Sequence, residues 1–317
     1  MDVYLSGIHH LTAVTARARD NKRFYTQTLG LRLVKKTVNQ DDVSSYHLFY
    51  ADRAGNPGTD LTFFDWPVAR ERRGTRSIVR TGLRIGSEAS LAWWHDRLAG
   101  QRLAVSAPSV IGGRATLLAE DEEGQRLALI VDPEGPAGEV WERSPVPAEH
   151  QIRGLGPITL SVPAIDRLSA LLVDGLNMRE AGHYEAPDIA AGPIHVFAMG
   201  AGGPAAELHV AVEPAKAPAM PGAGGVHHVA FRARDGAELT AWAGRLREAR
   251  IASSGEVERY YFRSLYFREP NGILFEIATD GPGFAADEPV ETLGEKLALP
   301  PFLEGRRAEI EAGLKPL

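Results

Sequence analysis

The feature that most constrains this chain is a short strand that recurs four times. Its copies are "GIHHLTAVTA" (7–16), "IVRTGLRIGS" (78–87), "GLGPITLSVP" (154–163) and "GVHHVAFRAR" (225–234), with starts spaced by roughly 70 residues. Each alternates with period two, as a half-buried strand does. A helical pattern follows each copy: "RDNKRFYTQTLG", "EASLAWWHDRLAG", "AIDRLSALLVDGLNM" and "DGAELTAWAGRLREARI". Gly30, Gly100 and Gly175 stand where the first three should stop. Two strand-like runs then close each unit, such as "YHLFYAD" with "TDLTFFDW" and "RSLYFREP" with "ILFEIATD", parted by turn signals such as "AGNPGT" and "EPNG". Self-similarity at a fixed period marks one supersecondary unit used repeatedly. The expectation is strand, helix and about three further strands, four times over.

The stretch "SPVPAEHQ" (144–151) reads as a linker. It divides the chain into an N-terminal domain of two units (1–143) and a C-terminal domain of two units (152–281). A tail with short helices follows (282–317). The Pro/Gly/Ala-rich "EPAKAPAMPGAGG" is a connection inside the second half, and the basic run Arg70, Arg72, Arg73, Arg76 reads as a solvated loop.

Composition narrows the chemistry. The chain has no cysteine, so any metal must be held by His, Asp, Glu or backbone oxygen. Its formal net charge of −6 gives no phosphate-binding surface, and nucleic acid is not an expected partner. No apolar run approaches the ~20 residues that span a bilayer, so no membrane partner is expected. "MDVYLSGIHH" lacks the basic and apolar regions of a signal peptide, and a cytoplasmic location is expected.

Four of the ten histidines fall in two His-His pairs, His9–His10 and His227–His228, each opening a repeat. Side chains alternate across a strand, so only one histidine of each pair can face the concave side. Aligning the units places His10, Thr81, Pro157 and His228 at one equivalent position. Glu276 interrupts the otherwise apolar "NGILFEIA". A buried carboxylate needs a compensating partner. Its counterparts by alignment are Thr62, Ala128 and Glu207, the last read as structural. His10, His228 and Glu276 together make a two-histidine, one-carboxylate set, which suits non-haem Fe(II) with open positions. A carboxylate at position 62 would have suggested a four-ligand Zn or Ni site. His47 in "SSYHLFY" could line the cup of the first unit.

The segments "GIHHLTAVTARARDNKRFYTQTLGLRLVKKTVNQDD", "YHLFYADRAGNPGTDLTFF", "GGVHHVAFRARD" and "LALPPFLEGRRAEIEAGLKPL" carry a resemblance. The chain resembles the vicinal-oxygen-chelate superfamily of glyoxalases, extradiol dioxygenases and antibiotic-resistance proteins. More narrowly it is similar to the ring-cleaving dioxygenases that act on hydroquinones. The resemblance covers nearly the whole chain and is most specific in the first 65 residues and the fourth unit. It implies an α+β fold: four βαβββ modules arranged as two domains, with cupped mixed β-sheets and helices outside. Cups on that scaffold are built from two units, here the first with the fourth, leaving the second and third to form a cup without metal. The resemblance also implies His10, His228 and Glu276 as metal ligands. Around them it implies His9, Thr12, His227, Arg259 and Tyr266 as catalytic residues, with Tyr260, Tyr261 and Arg263 as rivals for the last two roles. Fe(II) is the implied cofactor, with Mn, Zn or Ni admissible as purified, and O₂ the co-substrate. A small aromatic substrate and a homo-oligomer are expected. The implied activity is ring cleavage of a para-dihydroxybenzene beside a hydroxylated carbon. Extradiol cleavage of catechols, a metal-dependent isomerase or lyase, and a non-catalytic aromatic-binding protein remain open alternatives.

Overall fold

The structure, a computed structural model, describes residues 3–186 and 188–317. Each repeat folds as a strand, a helix and three strands. The first is β1 (Ile8–Thr15), α1 (Ala18–Arg23, widening into a π-turn at Phe24–Thr28), β2 (Arg32–Val38), β3 (Tyr46–Ala51) and β4 (Asp60–Asp65). The second is β5 (Ser77–Ile85), α2 (Glu88–Gly100), β6 (Ser109–Ile111), β7 (Arg114–Glu120) and β8 (Arg126–Val131). The third is β9 (Gly154–Val162), α3 (Asp166–Ala170, widening at Leu171–Gly175), β10 (Arg179–Glu185), β11 (Pro193–Ala198) and β12 (Glu207–Val212). The fourth is β13 (Val226–Ala233), α4 (Gly236–Glu248), β14 (Ser253–Glu258), β15 (Arg263–Arg268) and β16 (Leu274–Thr279).

Local chemistry explains the helices. Ser87 and Asp235 accept from the backbone N–H of Ser90 and Glu238, capping α2 and α4. Leu91, Trp94 and Leu98 on α2, and Leu239, Trp242 and Leu246 on α4, form buried stripes at helical spacing. They pack on the outer faces of the sheets. Gly30 takes φ +73° just after the π-turn, the left-handed conformation that ends a helix.

The strands form two eight-stranded mixed sheets, ordered β14-β15-β16-β13-β1-β4-β3-β2 and β10-β11-β12-β9-β5-β8-β7-β6. The fold is α+β. Antiparallel pairs β1–β13 and β5–β9 join two units at the centre of each sheet. The first unit therefore pairs with the fourth and the second with the third, so both halves of the chain contribute to both sheets.

Register corrects two alignments made from sequence. In the fourth unit Glu276 lies beside Ala230, two residues after His228. The same offset pairs Thr62 with Thr12, Ala128 with Gly82 and His209 with Thr159. The counterparts of His10 and His228 are thus Arg80 and Pro157, and Thr81 is displaced by one. The counterpart of Glu276 in the third unit is His209, not Glu207. The register of β5 against β9 shifts between Ile78 and Arg80 and again between Thr81 and Leu83. Each such bulge inserts a residue that an ungapped alignment cannot register.

The tail crosses the outer edge of the first sheet. Leu297 bridges to Lys36 on β2, and Leu299, Leu303 and Ile310 pack on Val38. The short helices α5 (Pro301–Glu304) and α6 (Arg307–Gly313) carry the last two contacts. The basic loop at 70–75 runs beside 218–223 through isolated bridges. Among the described residues no helix is long and apolar enough to cross a membrane.

Candidate metal centre

The junction of β1 and β13 sets the site. Alternation sends Leu11, Ala13 and Val229 into the core, while His10, Thr12 and His228 face a cup that Glu276 also lines. His10 Nε2 and His228 Nε2 lie 3.3 and 2.9 Å from Glu276 Oε2. One donor atom from each of the three side chains falls within 4.8 Å of the others, and all three residues are buried. Ser264 Oγ donates to Glu276 Oε1 at 2.5 Å. Oε2 has no aligned hydrogen-bond partner, although His228 stands so close to it. A fully buried carboxylate oxygen left in that state is costly. Two imidazole nitrogens converging on it make the set one that a divalent cation would complete.

The neighbouring His9 selects a tautomer for His10. His9 Nε2 lies 3.1 Å from the Thr279 carbonyl, which can only accept, so that nitrogen carries the proton. Burial, followed by the charge on His10, lowers His9 to about 3, so it is neutral at ordinary pH. Its Nδ1 is then a bare acceptor for His10 Nδ1–H at 2.8 Å. Once His10 is neutral, as a metal ligand must be, its lone pair lies on Nε2, the nitrogen facing Glu276. The fourth unit repeats the contact: His227 Nδ1 lies 2.7 Å from His228 Nδ1, and burial with His228 lowers His227 to about 3. A metal-binding imidazole is normally oriented in this way, through a hydrogen bond on its other nitrogen. The shift in β1 register at His9 helps adjacent rings to meet.

Electrostatics favour an ionised carboxylate. Burial pushes Glu276 up, but His10 and His228 hold it well below the usual carboxylate range. Burial lowers His10 too, and Glu276 more than offsets this. For His228 burial prevails.

The remaining residues named from sequence divide. Thr12, Arg259 and Tyr266 line the cup. Arg259 Nε donates to Tyr266 Oη at 3.3 Å, and its terminal nitrogens donate to Asp41 at 3.2 and 3.0 Å. Burial and then Glu276 raise Tyr266, which keeps its O–H as a donor. His9 and His227 stand behind the imidazoles, outside the cup lining. His227 packs edge-on against Phe64 and Trp66. Of the three rivals, Tyr261 also lines the cup, with its hydroxyl donating to Asp287 at 2.8 Å.

Two residues fill a role that residue type alone does not announce. Ser264 and His47 occupy equivalent places on β15 and β3. Ser264 bonds Glu276, and His47 Nε2 lies 2.8 Å from Thr62 Oγ1, at the position equivalent to Glu276. Thr62 in turn donates to Thr12 Oγ1 at 2.9 Å. Thr62 oxygen is thereby the acceptor for His47 Nε2–H, and His47 Nδ1 is left unprotonated. Burial, with His10 and His228 adding to it, keeps His47 well below its ordinary range and neutral. The alternation of "YHLFY" was the available signal for His47; the serine carried none.

Asp60, paired in register with His10, is buried with neither oxygen hydrogen-bonded among the described residues. Burial raises it from 3.8 to about 7, with Asp52 adding to the rise and His10 opposing it. A carboxyl raised in the folded state stabilises the fold fully below its unfolded value. That contribution is lost as pH rises through the folded value. Asp60→Asn should therefore match the wild-type metal-free protein near pH 4 and exceed its stability above pH 7. The gap should open at up to about 1.4 kcal/mol per pH unit between those limits. Urea denaturation across that range checks it; parallel curves for the two proteins would contradict it.

Comparisons with known proteins place the chain in a family. The family model described as the Glyoxalase/Bleomycin resistance protein/Dioxygenase superfamily matches residues 7–170 and 154–277. MhqA of Bacillus subtilis (strain 168), provisionally named a ring-cleaving dioxygenase, is 47% identical over 315 residues, covering 99% of each chain. The chlorohydroquinone/hydroquinone 1,2-dioxygenase of Sphingobium indicum is 30% identical over 315 residues, covering 96% of this chain and 95% of that protein. A crystal structure from Bacillus subtilis, described provisionally as a dioxygenase, superimposes with a TM-score of 0.90 at 34% identity, covering 100% of this chain and 98% of that one.

Proposed function

We infer, from the premise that this chain belongs to the glyoxalase/bleomycin resistance protein/dioxygenase superfamily, that it is a ring-cleaving dioxygenase of hydroquinone-type aromatics. The observation that carries the reading is the three-donor set with a hydrogen-bonded threonine in the fourth place. His10, His228 and Glu276 would hold a divalent metal, best Fe(II), and Thr62 leaves a coordination position to substrate and oxygen. A relative that acts on hydroquinones, similar over nearly its whole length, supports a para-diol substrate. When bound, Fe(II) supplies the redox chemistry that joins a phenolate to O₂.

The chain's own groups supply position and protons. A phenol loses its proton near pH ~10 in water, so binding must make it more acidic. His47, neutral and with Nδ1 unprotonated, is placed to accept that proton. His227 is among the catalytic residues that the resemblance implies. Its Nδ1 is engaged with His228 and its ring stands outside the cup, which favours His47. Tyr266, kept as O–H, donates to oxygen in the cup. Arg259, held by Asp41, places positive charge where anionic character develops on the ring and product. Phe49, Phe64 and Phe262 give the cup apolar walls that keep water from the reacting carbon.

Oxygen uptake tests the reading. Anaerobically prepared, Fe(II)-reconstituted protein should consume one O₂ per hydroquinone or methylhydroquinone and yield a ring-opened acid. Faster uptake with catechol would move the substrate to ortho-diols. No uptake from any of the three despite bound iron would sink the dioxygenase and favour an isomerase or a binding protein.

The tautomer pairs give a separate expectation. His9→Phe and His227→Phe keep an apolar ring but remove the acceptor for the ligand histidine. Each should weaken metal affinity by roughly 10–100-fold, the usual cost of losing an outer partner of a ligand. Competition with a chromophoric chelator measures it; unchanged affinity in both would leave the pairs without a role at the metal.

A further inference from the structure

The second sheet builds a cup of its own, and its floor differs in kind. At the four positions equivalent to His10, Thr62, His228 and Glu276 stand Arg80, Ala128, Pro157 and His209. All four line one small cavity, smaller than the first cup. A guanidinium has donors and no lone pair, so Arg80 cannot ligate a metal. It puts a fixed positive charge where the first cup gathers ligands for one.

The other charges here are already matched. Arg114 donates to both oxygens of Glu207 at 2.6 and 2.7 Å, and His209 Nε2 lies 3.0 Å from Glu207 Oε2. Tyr184 Oη lies 3.0 Å from His209 Nδ1. Burial pushes Glu207 up, but His209 and Arg114 bring it down to about 2, so the carboxylate is spent on them. Arg80 is not matched in this way. It is 7% exposed, and its Nε is buried with no hydrogen-bond partner among the described residues. Its one carboxylate partner among the described residues is Asp188, whose side chain is 40% exposed. The Asp188 end of this pair faces solvent, so a bound anion can displace it. A buried donor without an acceptor is costly.

We propose that the second cup binds a small monocarboxylate, with its oxygens on Arg80 and its apolar body against Ala128, Ile130 and Pro157. The oxygens satisfy Nε and take over or share the terminal nitrogen that Asp188 now holds. The matched Arg114–Glu207–His209–Tyr184 chain forms the far wall without competing for the ligand.

Calorimetric titration of the metal-loaded full chain with formate, acetate, propionate and their neutral amides tests this. At least one carboxylate should bind at a single site, at least tenfold more tightly than its amide. Two variants locate the site: Arg80→Gln removes the charge, and Ala128→Leu fills the cavity without altering any charge. Each should weaken carboxylate binding at least tenfold while metal content stays at wild-type level. If Arg80→Gln does not fold, Ala128→Leu decides alone. Equal binding of acid and amide, no binding of either, or wild-type affinity in the folded variants would overturn the proposal; the last result would place the ligand in the first cup.

Discussion

Glu276→Gln should lose both iron and activity while the protein stays folded. The substitution keeps the shape and removes the only carboxylate of the converging set. It also presents an amide nitrogen or a neutral oxygen to two imidazoles 2.9 and 3.3 Å away. Loss of an outer partner costs a metal site roughly 10–100-fold; loss of an anionic ligand should exceed that. Turnover should fall by at least about 10³-fold, a barrier increase near 4 kcal/mol. Metal analysis after gel filtration and oxygen-uptake kinetics are the measurements. Near-stoichiometric iron with a loss below tenfold would remove Glu276 from the centre. His228→Ala should behave in the same way.

The second large effect lies away from the centre. Lys35 is fully buried on β2. Its ammonium is 2.7 Å from Asp287, bonds Glu288 and lies 4.7 Å from the ring centre of Tyr261. Lys35→Ala leaves two carboxylates, 17% and 13% exposed, without their cation. Breaking one side of a buried pair typically costs about 3–5 kcal/mol, and chemical denaturation should show a loss of that order. Because Asp287 also holds the Tyr261 hydroxyl, KM should rise as the cup wall loosens. Replacing all three charges together, Lys35→Met with Asp287→Asn and Glu288→Gln, should recover most of the stability. A single variant as stable as wild type would show that the tail is not anchored by this cluster.

Much of the design is legible in the order of residues. The two His-His pairs mark repeat openings, and strand alternation singles out His10 and His228. Glu276 stands out because a charge inside "GILFEIA" must be explained. Arg259 and Tyr266, chosen from a motif with close rivals, do line the cup. What escaped is what depends on counting across a bulge or on distant partners. Bulges in β5 moved the equivalent residue from Thr81 to Arg80, and alignment alone chose Glu207 over His209. Lys35 in "LVKKTV" looks like any exposed strand lysine until Asp287 and Glu288 arrive some 250 residues later. Ser264 is an ordinary strand serine in sequence, and only the pairing of β15 with β16 gives it a carboxylate to hold. The linker at 144–151 parts the chain in sequence, whereas the sheets are assembled across it.

That crossed assembly has a consequence for synthesis. When the ribosome has released the first half, β1 and β5 have their local partners β4 and β8 on one side only. Their other edges wait for β13 and β9, and β13 begins 218 residues after β1. Pairings of such sequence separation make folding slow, and open strand edges on a nascent chain invite aggregation. His10 meets His228 and Glu276 only once nearly the whole polypeptide has been made. A truncated product ending before β16 would therefore lack the Glu276 of the candidate metal centre, so a ribosome that stalls early cannot release a chain with that set assembled.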